Sequence, residues 1–271
     1  MTDEVVTVVA VHGNGGGSTR FARVPDHLPD GVDFHAIDLP GFNGVPDDPS
    51  LRSVAAYADH LADLLDDIAG SGGRDADAAE RTPHGDRDAT RPVLLGHGIG
   101  GSIALDLASR RPQTVGGLLL HAPVGAHLDQ RLFPRLMSTV PVRAAVRRLI
   151  AARPLRPIWR RAFFPIGAPA ADLDTFFEGY RTCEAFGRMF EIIDVEWFDG
   201  LAPVEAVPTV LLWGENDRVL RSGQADAITA KAPDARTVIQ PGWDHFPMLE
   251  QPEEYARVVA DLATGLAAVD R

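Results

Sequence analysis

The chain has 271 residues, a formal net charge of −12 and a hydrophobic content of 45%. These values are typical of a globular protein with a substantial core, and the acidic balance argues against a nucleic-acid-binding protein. No apolar run approaches the roughly 20 residues of a membrane span, and the acidic N-terminus lacks a secretory signal. We therefore expect a cytoplasmic protein with no membrane association. The single cysteine, Cys183, excludes an internal disulfide.

The first third of the chain alternates predicted strands and helices. An apolar run predicts a strand over 5–11, and a helix is predicted over 18–28. A second strand follows over 32–38, and apolar side chains spaced by three and four residues predict an amphipathic helix over 51–68. Such alternation is typical of an α/β fold with a mostly parallel sheet, here of about six strands.

The stretch from Val93 to Ser102 predicts a strand, a very tight turn and a helix in immediate succession. Its glycines allow the close packing that such a corner needs. The frame Gly96-His97-Gly98-Ile99-Gly100 has the spacing of the nucleophile elbow, G-x-S-x-G, in which a strained residue between strand and helix carries a nucleophile. Glycine occupies the serine position, Gly98, so the frame of the elbow is present without its nucleophilic side chain.

Two segments interrupt the alternation. Residues 70–91 are polar, glycine-bearing and free of large apolar side chains, which predicts a mobile surface insertion. Residues 128–198 predict a helical cap inserted into a core formed by 1–127 and 199–271. Between Gln130 and Ala171 the cap holds nine arginines and no acidic residue. These arginines could pair with the acidic body, form a basic mouth for an anionic substrate, or bind an acidic partner.

Further core elements are predicted on both sides of the cap. They are strands over 115–121, 209–213 and 236–240 and helices over 222–232 and 252–268. Four motifs accompany the elbow in order: His12-Gly13-Asn14-Gly15-Gly16-Gly17, Asp38-Leu39-Pro40-Gly41-Phe42, the strand ending at Asp217, and the segment from Trp243 to Pro252 that contains His245. Together these motifs resemble the α/β-hydrolase superfamily, and the resemblance covers the chain except the cap.

The resemblance implies a site at the positions that the family uses for its nucleophile, acid and histidine. Here Gly98, Asp217 and His245 occupy those positions in the family's order. Asp217 would orient the imidazole of His245, and Asp244 is a less favoured acid. The family's oxyanion hole would be formed by the backbone N–H groups of Asn14 and Ile99, which do not depend on a serine side chain.

Three functions are compatible with an aspartate–histidine pair that lacks a serine nucleophile. The favoured one is an enzyme in which His245 acts as a general base on a small carbonyl-containing molecule, with lyase, cyclase or noncovalent hydrolase chemistry. The second is a serine esterase or lactonase whose elbow serine has been changed to Gly98. The third is a noncatalytic ligand-binding member of the fold.

Other nucleophiles and cofactors are not favoured by the sequence. Ser102 lies one turn into the elbow helix and should face packing, and Cys183 lacks a neighbouring signature for activation. We expect no metal site, because the histidines are scattered. The glycines of the elbow lack the spacing and the later acidic residue of a dinucleotide site, so we expect no cofactor. The expected partner is a small-molecule substrate, with an anionic one suggested by the basic cap.

Overall fold

A computed structural model describes residues 5–71, 91–125, 127–130, 132–137 and 139–269. Its centre is a six-stranded sheet in the order β2-β1-β3-β4-β5-β6, in which every adjacent pair is parallel. The strands are β1 Val6–Val11, β2 Val32–Ile37, β3 Val93–His97, β4 Gly117–His121, β5 Thr209–Gly214 and β6 Arg236–Gln240. The predicted fold class, a mostly parallel α/β sheet, is confirmed.

The central strands are the apolar runs of the sequence. Strands β3, β4 and β5 are buried at every residue, because helices cover both faces of a parallel sheet. The edge strands β2 and β6 are partly exposed and mix apolar with polar residues. The chain reverses direction across the sheet between β1 and β3, which pair from Val8↔Val93 to Val11↔Gly96. In open parallel sheets, this reversal opens a crevice at the carboxyl ends of the strands.

The helices of the core are α1 Val54–Ser71, α2 Ile99–Arg110, α9 Ala225–Thr229, α10 Pro247–Glu250 and α11 Pro252–Val269. Helix α1 packs beside α2, and α11 contacts four strands of the sheet. Helix α1 includes Gly70 and Ser71, the first two residues of the predicted insertion. The remainder of that insertion, apart from Arg91, lies outside the described residues.

The helix predicted over 18–28 is wrong. Two short 3-10 segments, Ser18–Phe21 and Pro25–His27, occupy this stretch. Pro25 lacks the N–H that a continuing helix would need, and the first segment has no side-chain cap at Gly17. The helix predicted over 222–232 is also shorter, because a 3-10 turn at Ser222–Gln224 precedes α9.

The described residues between β4 and β5 include six helices, and we call this stretch, residues 127–200, the inserted segment. The helices are α3 Leu132–Met137, α4 Val140–Ala151, α5 Arg156–Phe163, α6 Ala170–Thr182, α7 Phe186–Ile192 and α8 Val195–Gly200. Helix α4 packs against α6 and α7, and Phe163 of α5 packs against Phe176 of α6 with their ring planes tilted. The inserted segment therefore has apolar packing of its own.

Polar contacts join the inserted segment to several parts of the rest of the molecule. The guanidinium of Arg188 donates two hydrogen bonds to the carboxylate of Asp47, at 2.7 and 2.5 Å. The indole N–H of Trp197 donates to Asp106 Oδ2 on α2 at 2.9 Å. Glu250 Oε1, on α10, accepts hydrogen bonds from the backbone N–H groups of residues 166 and 167 at 2.9 and 3.0 Å. These contacts reach the loop after β2, helix α2 and helix α10, so the attachment is spread over the core.

Candidate active site

The elbow lies at the carboxyl end of the central strand β3. Gly98 separates β3 from α2 and has φ 57° and ψ −116°, a left-handed conformation that L side chains rarely adopt. A Cβ at Gly96 would lie 2.5 Å from the Cα of Gly101, and a Cβ at Gly100 would lie 2.4 Å from the carbonyl oxygen of Val11. Glycine is therefore required at both flanking positions by the packing of strand against helix.

We expect Gly100→Ala to lower the free energy of unfolding by about 3 kcal/mol, because backbone atoms of β1 would have to move away from the new methyl group. The matched control is Gly265→Ala in α11, where a Cβ meets nothing within 4 Å. That change should raise the same free energy by about 0.5–1 kcal/mol. Urea denaturation of both variants measures the difference, and a Gly100→Ala protein as stable as the parent would contradict this account.

Gly98 differs from its neighbours because it has space beside it. A Cβ at this position would meet only the Cα of Gly13, at an ordinary contact distance of 3.5 Å. A side chain here would therefore be strained by its backbone conformation without a steric clash. The space is open to the cavity described below, since Gly98 is one of the residues that line it.

Asp217 and His245 form a buried, hydrogen-bonded pair. Asp217 follows β5, His245 precedes α10, and Nδ1 of His245 lies 2.7 Å from Asp217 Oδ2. The other carboxylate oxygen accepts the backbone N–H groups of Val219 and Leu220 at 2.9 and 2.7 Å. Nδ1–H donation to Asp217 leaves Nε2 as the proton acceptor of the imidazole, which is the arrangement that a general base requires.

Asp244 does not contact the imidazole of His245. Its Oδ1 accepts the backbone N–H of His245 at 2.8 Å and that of Arg218 at 3.2 Å. Its other oxygen lies 3.2 Å from the guanidinium nitrogen Nε of Arg218. Asp244 therefore orders the loop that carries His245. The carboxylate that contacts the imidazole of His245 is that of Asp217.

The two expected oxyanion donors come from neighbouring elements. Asn14 follows β1 and Ile99 begins α2, and both residues line the same cavity as His245. The side-chain amide of Asn14 donates to the carbonyl oxygen of Phe186 at 3.2 Å, which ties the loop after β1 to the inserted segment. Within the described residues, neither backbone N–H donates a hydrogen bond to another group of the protein. Both donors are thus available to a ligand.

The candidate site opens into a cavity of about 480 Å³ between the sheet and the inserted segment. The side nearest the elbow contributes Asn14, Gly98, Ile99 and His245 to its wall. The opposite side is apolar and aromatic, and it includes Ile150, Trp159, Phe163, Tyr180, Phe186 and Phe190. A cavity of this size and composition suits a small, largely apolar ligand with a few polar groups.

The cavity wall also holds polar residues that were not singled out from the sequence, among them His97 and Arg20. The His97 ring lies 4.6 Å from that of His245, and its Nε2 donates to the carbonyl oxygen of His245 at 3.2 Å. Burial and the neighbouring imidazoles of His245 and His121 hold the pKa of His97 well below its usual value. The position of His97 directly before Gly98 was a sequence signal that could have placed it at the site. No local pattern distinguished Arg20.

Two other candidate nucleophiles have ordinary structural surroundings. The hydroxyl of Ser102 is buried and donates to the carbonyl oxygen of Val124 at 2.6 Å. Cys183 is buried in the inserted segment, and burial raises the pKa of its thiol to about 12. The thiol is therefore protonated at neutral pH and is a weak nucleophile.

The arginines of the inserted segment that the structure describes do not line the cavity. Arg143 pairs with Glu191, and Arg156 pairs with Asp174 at 2.6 Å, both partners lying within the inserted segment itself. For these two arginines, the predicted pairing with the acidic body is wrong. The guanidinium groups at the cavity wall belong to Arg20 and Arg218.

Buried histidines make the stability of the fold depend on pH. Burial lowers the pKa of His12 to about 4 and that of His121 to about 3, so both are neutral in the native protein. The unfolded chain binds these protons below a pH of about 6.5, so stability rises with pH between the native and unfolded pKa values. We expect each histidine to contribute about 1.4 kcal/mol per pH unit in that window, lost as the pH falls.

The measurement is urea denaturation of the parent, His121→Phe and the control His35→Phe at pH 7, 6 and 5. His35 is partly exposed on the edge strand β2 and pairs with Asp33. The dependence of unfolding free energy on pH should become shallower by about 1.4 kcal/mol per unit in His121→Phe relative to the His35 control. Equal slopes in the two variants would show that His121 is not held neutral.

Comparison with known proteins identifies the family. The model of the alpha/beta hydrolase family matches residues 8–258. An uncharacterised protein of Mycobacterium tuberculosis is 27% identical, with 93% of this chain and 73% of that protein aligned. A pimeloyl-[acyl-carrier protein] methyl ester esterase of Aromatoleum aromaticum is 26% identical over 95% of this chain and 98% of its own length.

Solved structures agree with this assignment at the level of the fold. An esterase from Exiguobacterium antarcticum has a TM-score of 0.73 at 17% identity, covering 96% of this chain and 92% of that one. The M145A mutant of an epoxide hydrolase from Bacillus megaterium has a TM-score of 0.71 at 16% identity, covering 96% and 94%. The chain belongs to the alpha/beta hydrolase family, which confirms the resemblance seen in the sequence motifs.

Two kinds of feature are absent from the described residues. No helix there is long and apolar enough to cross a membrane. No group of three or more histidine, cysteine, aspartate or glutamate side chains there is arranged to hold a metal ion.

Proposed function

We propose that this protein is an enzyme that acts on a small carbonyl-containing molecule through general-base catalysis by His245. The observation that carries the proposal is the buried His245–Asp217 pair, which faces the cavity beside the unoccupied side-chain position of Gly98. Asp217 would hold Nδ1–H and stabilise the imidazolium that forms, while Nε2 accepts a proton. The backbone N–H groups of Asn14 and Ile99 would stabilise negative charge on the carbonyl oxygen.

In the hydrolytic form of this mechanism, water occupies the space that a serine hydroxyl would take. His245 removes a proton from the water as its oxygen bonds to the carbonyl carbon, and the carbonyl electron pair moves onto oxygen. The tetrahedral anion then reforms the carbonyl and expels the leaving group, which receives the proton from His245. No bond to the protein forms in this sequence. In lyase or cyclase chemistry, the same base would remove a proton from carbon next to the carbonyl.

Two assays on the unmodified protein test this proposal. One follows release of nitrophenol from p-nitrophenyl acetate and butyrate, including the pre-steady-state phase. The other follows exchange of hydrogens next to the carbonyl of small keto acids in D₂O by NMR. Turnover in either assay without a burst equal to the enzyme concentration would support noncovalent catalysis. A stoichiometric burst would indicate an acyl-enzyme, and inactivity in both would favour a ligand-binding protein.

A serine esterase or lactonase with glycine at the nucleophile position is the second candidate. The backbone conformation of Gly98 and the free space beside it favour this candidate, because a serine would fit there without a clash. The alignment with a methyl ester esterase of Aromatoleum aromaticum is consistent with an ester-cleaving ancestor.

The third candidate, a noncatalytic binding protein, would use the same cavity without turnover. Substitution of His245 would then change ligand affinity alone. Kinetic and binding measurements on one variant of His245 therefore separate this candidate from the two catalytic ones.

A further inference from the structure

Arg20 is a buried cation in the wall of the cavity. The residue lies just after the glycine-rich loop that follows β1, and 4% of it is exposed. Guanidinium nitrogen Nη2 donates to the carbonyl oxygen of Gly15 at 2.9 Å. The guanidinium carbon lies 3.5 Å from the ring centroid of Phe176 and 5.6 and 5.7 Å from those of Phe246 and Tyr180. The surroundings of this charge are therefore aromatic.

No carboxylate neutralises Arg20 within the part of the chain that the structure describes. Its Nη1 is buried and has no hydrogen-bond partner. Arg218, the other arginine at the cavity wall, pairs with Asp244 at 3.2 Å, and 61% of its side chain is exposed. Arg23, three residues after Arg20, pairs with Asp172 at 3.8 Å. Arg20 is thus distinct from both in burial and in pairing.

The carboxylate of Asp38 is not the counter-charge of Arg20, because it is hydrogen-bonded to other groups. It accepts the backbone N–H and the hydroxyl of Ser18 at 2.6 and 2.8 Å, and the amide of Asn43 at 3.1 Å.

Burial lowers the pKa of Arg20 to about 10, which leaves the guanidinium charged at neutral pH. A buried charge without a counter-charge is costly, and the aromatic faces around Arg20 offset only part of that cost. An anion entering the cavity would supply the missing counter-charge.

We propose that Arg20 binds a carboxylate group of the ligand, so that the substrate is a carboxylic acid with a second carbonyl group and an apolar or aromatic body. The second carbonyl, as an ester or ketone, would occupy the oxyanion site formed by Asn14 and Ile99. This assignment of the substrate class rests on the proposed function. Gly15, which accepts the hydrogen bond from Arg20, directly follows Asn14 in the chain. The guanidinium of Arg20 and the N–H of Asn14 therefore belong to the surroundings of one loop, and both residues line the cavity.

The test is equilibrium binding of phenylacetate and its neutral isostere phenylacetamide to the intact protein, measured by calorimetry at neutral pH. The parent should bind phenylacetate at least about tenfold more tightly, because a hydrogen bond to a charged partner contributes about 1.5–3 kcal/mol. Arg20→Gln retains a donor for Gly15 and removes the charge, and it should abolish the preference. Arg20→Lys restores the charge and should recover most of it.

Arg23→Met is the matched control, because it removes an arginine that is partly exposed and already paired. It should keep the preference of the parent. If Arg20→Gln fails to fold by circular dichroism, Arg20→Lys and Arg20→Met are compared in the same titration. Equal affinity of the parent for the two ligands, no binding of phenylacetate at millimolar concentration, or a preference unchanged in a folded neutral variant would overturn the proposal.

Binding is measured here without turnover, so this proposal and the proposed function can fail separately. A carboxylate preference that depends on Arg20 in a protein without catalytic activity would retain the ligand class and reject the enzyme. Catalysis that depends on His245, with no preference for the carboxylate, would retain the enzyme and reject the role of Arg20.

Discussion

Gly98→Ser should make the protein react with a fluorophosphonate, with one adduct per chain at the new serine. The backbone at Gly98 already has the left-handed conformation of an elbow, and a Cβ there meets no atom closer than 3.5 Å. Nε2 of His245 would accept the hydroxyl proton, and the N–H groups of Asn14 and Ile99 would stabilise the oxyanion. The strained position would cost about 1–3 kcal/mol of stability. Intact mass and peptide mapping measure the adduct.

Three controls separate the expected chemistry from nonspecific labelling. Gly98→Ala carries the same backbone strain without a hydroxyl and should remain unlabelled. Gly98→Ser combined with His245→Ala should label at least about a hundredfold more slowly, since the proton acceptor is removed. Labelling of the unmodified protein would reveal another nucleophile and would contradict the site described here. An unlabelled but folded Gly98→Ser would show that the pair and the oxyanion donors are not aligned for acyl transfer.

His245→Ala should lower kcat by about 10²–10⁴-fold on any substrate that the protein turns over, because this is the usual contribution of a general base. Asp217→Asn should also lower kcat, since the amide no longer favours the required imidazole tautomer or stabilises the imidazolium. Both variants can be compared with the parent in steady-state assays and in the calorimetric titration with phenylacetate. Ligand binding that persists while kcat falls would assign the loss to chemistry.

Asp244→Asn is the informative control for this pair. Asp244 lies next to His245 in the chain but contacts its backbone N–H and Arg218, leaving the imidazole to Asp217. Its substitution should reduce kcat much less than substitution of Asp217.

Unchanged turnover in His245→Ala would refute general-base catalysis by this histidine.

The sequence predicted the sheet well because a buried parallel strand is itself a continuous apolar run. Strand β6 was located at its observed residues, and β1, β2 and β5 were located within one residue of their ends. The helix over 18–28 was wrong because its apolar residues pack as two short turns broken at Pro25. The local sequence pattern could not distinguish one continuous helix from two short turns, because packing against the sheet decides between them.

The pairing of charged side chains was much less predictable than the strands. The partners of Arg143 and Arg156 are acids from later in the inserted segment, brought close by helix packing. Arg20 has no distinguishing neighbours in sequence, and its burial results from aromatic residues more than 150 positions later. The motifs located Asp217 and His245 because the fold fixes such residues at strand ends, whereas the cavity wall depends on long-range contacts.

The polar attachments of the inserted segment bear on the kinetics of ligand exchange. Arg188 is fixed to Asp47, Trp197 to α2, and residues 166 and 167 to α10, so a swing about one hinge would break hydrogen bonds at distant points. We therefore expect ligand exchange to involve small local displacements of the aromatic wall and not a swing of the whole segment. For the proposed enzyme, the rate of such displacements would set the residence time of a ligand, and the release of product would become a candidate for the slowest step of turnover.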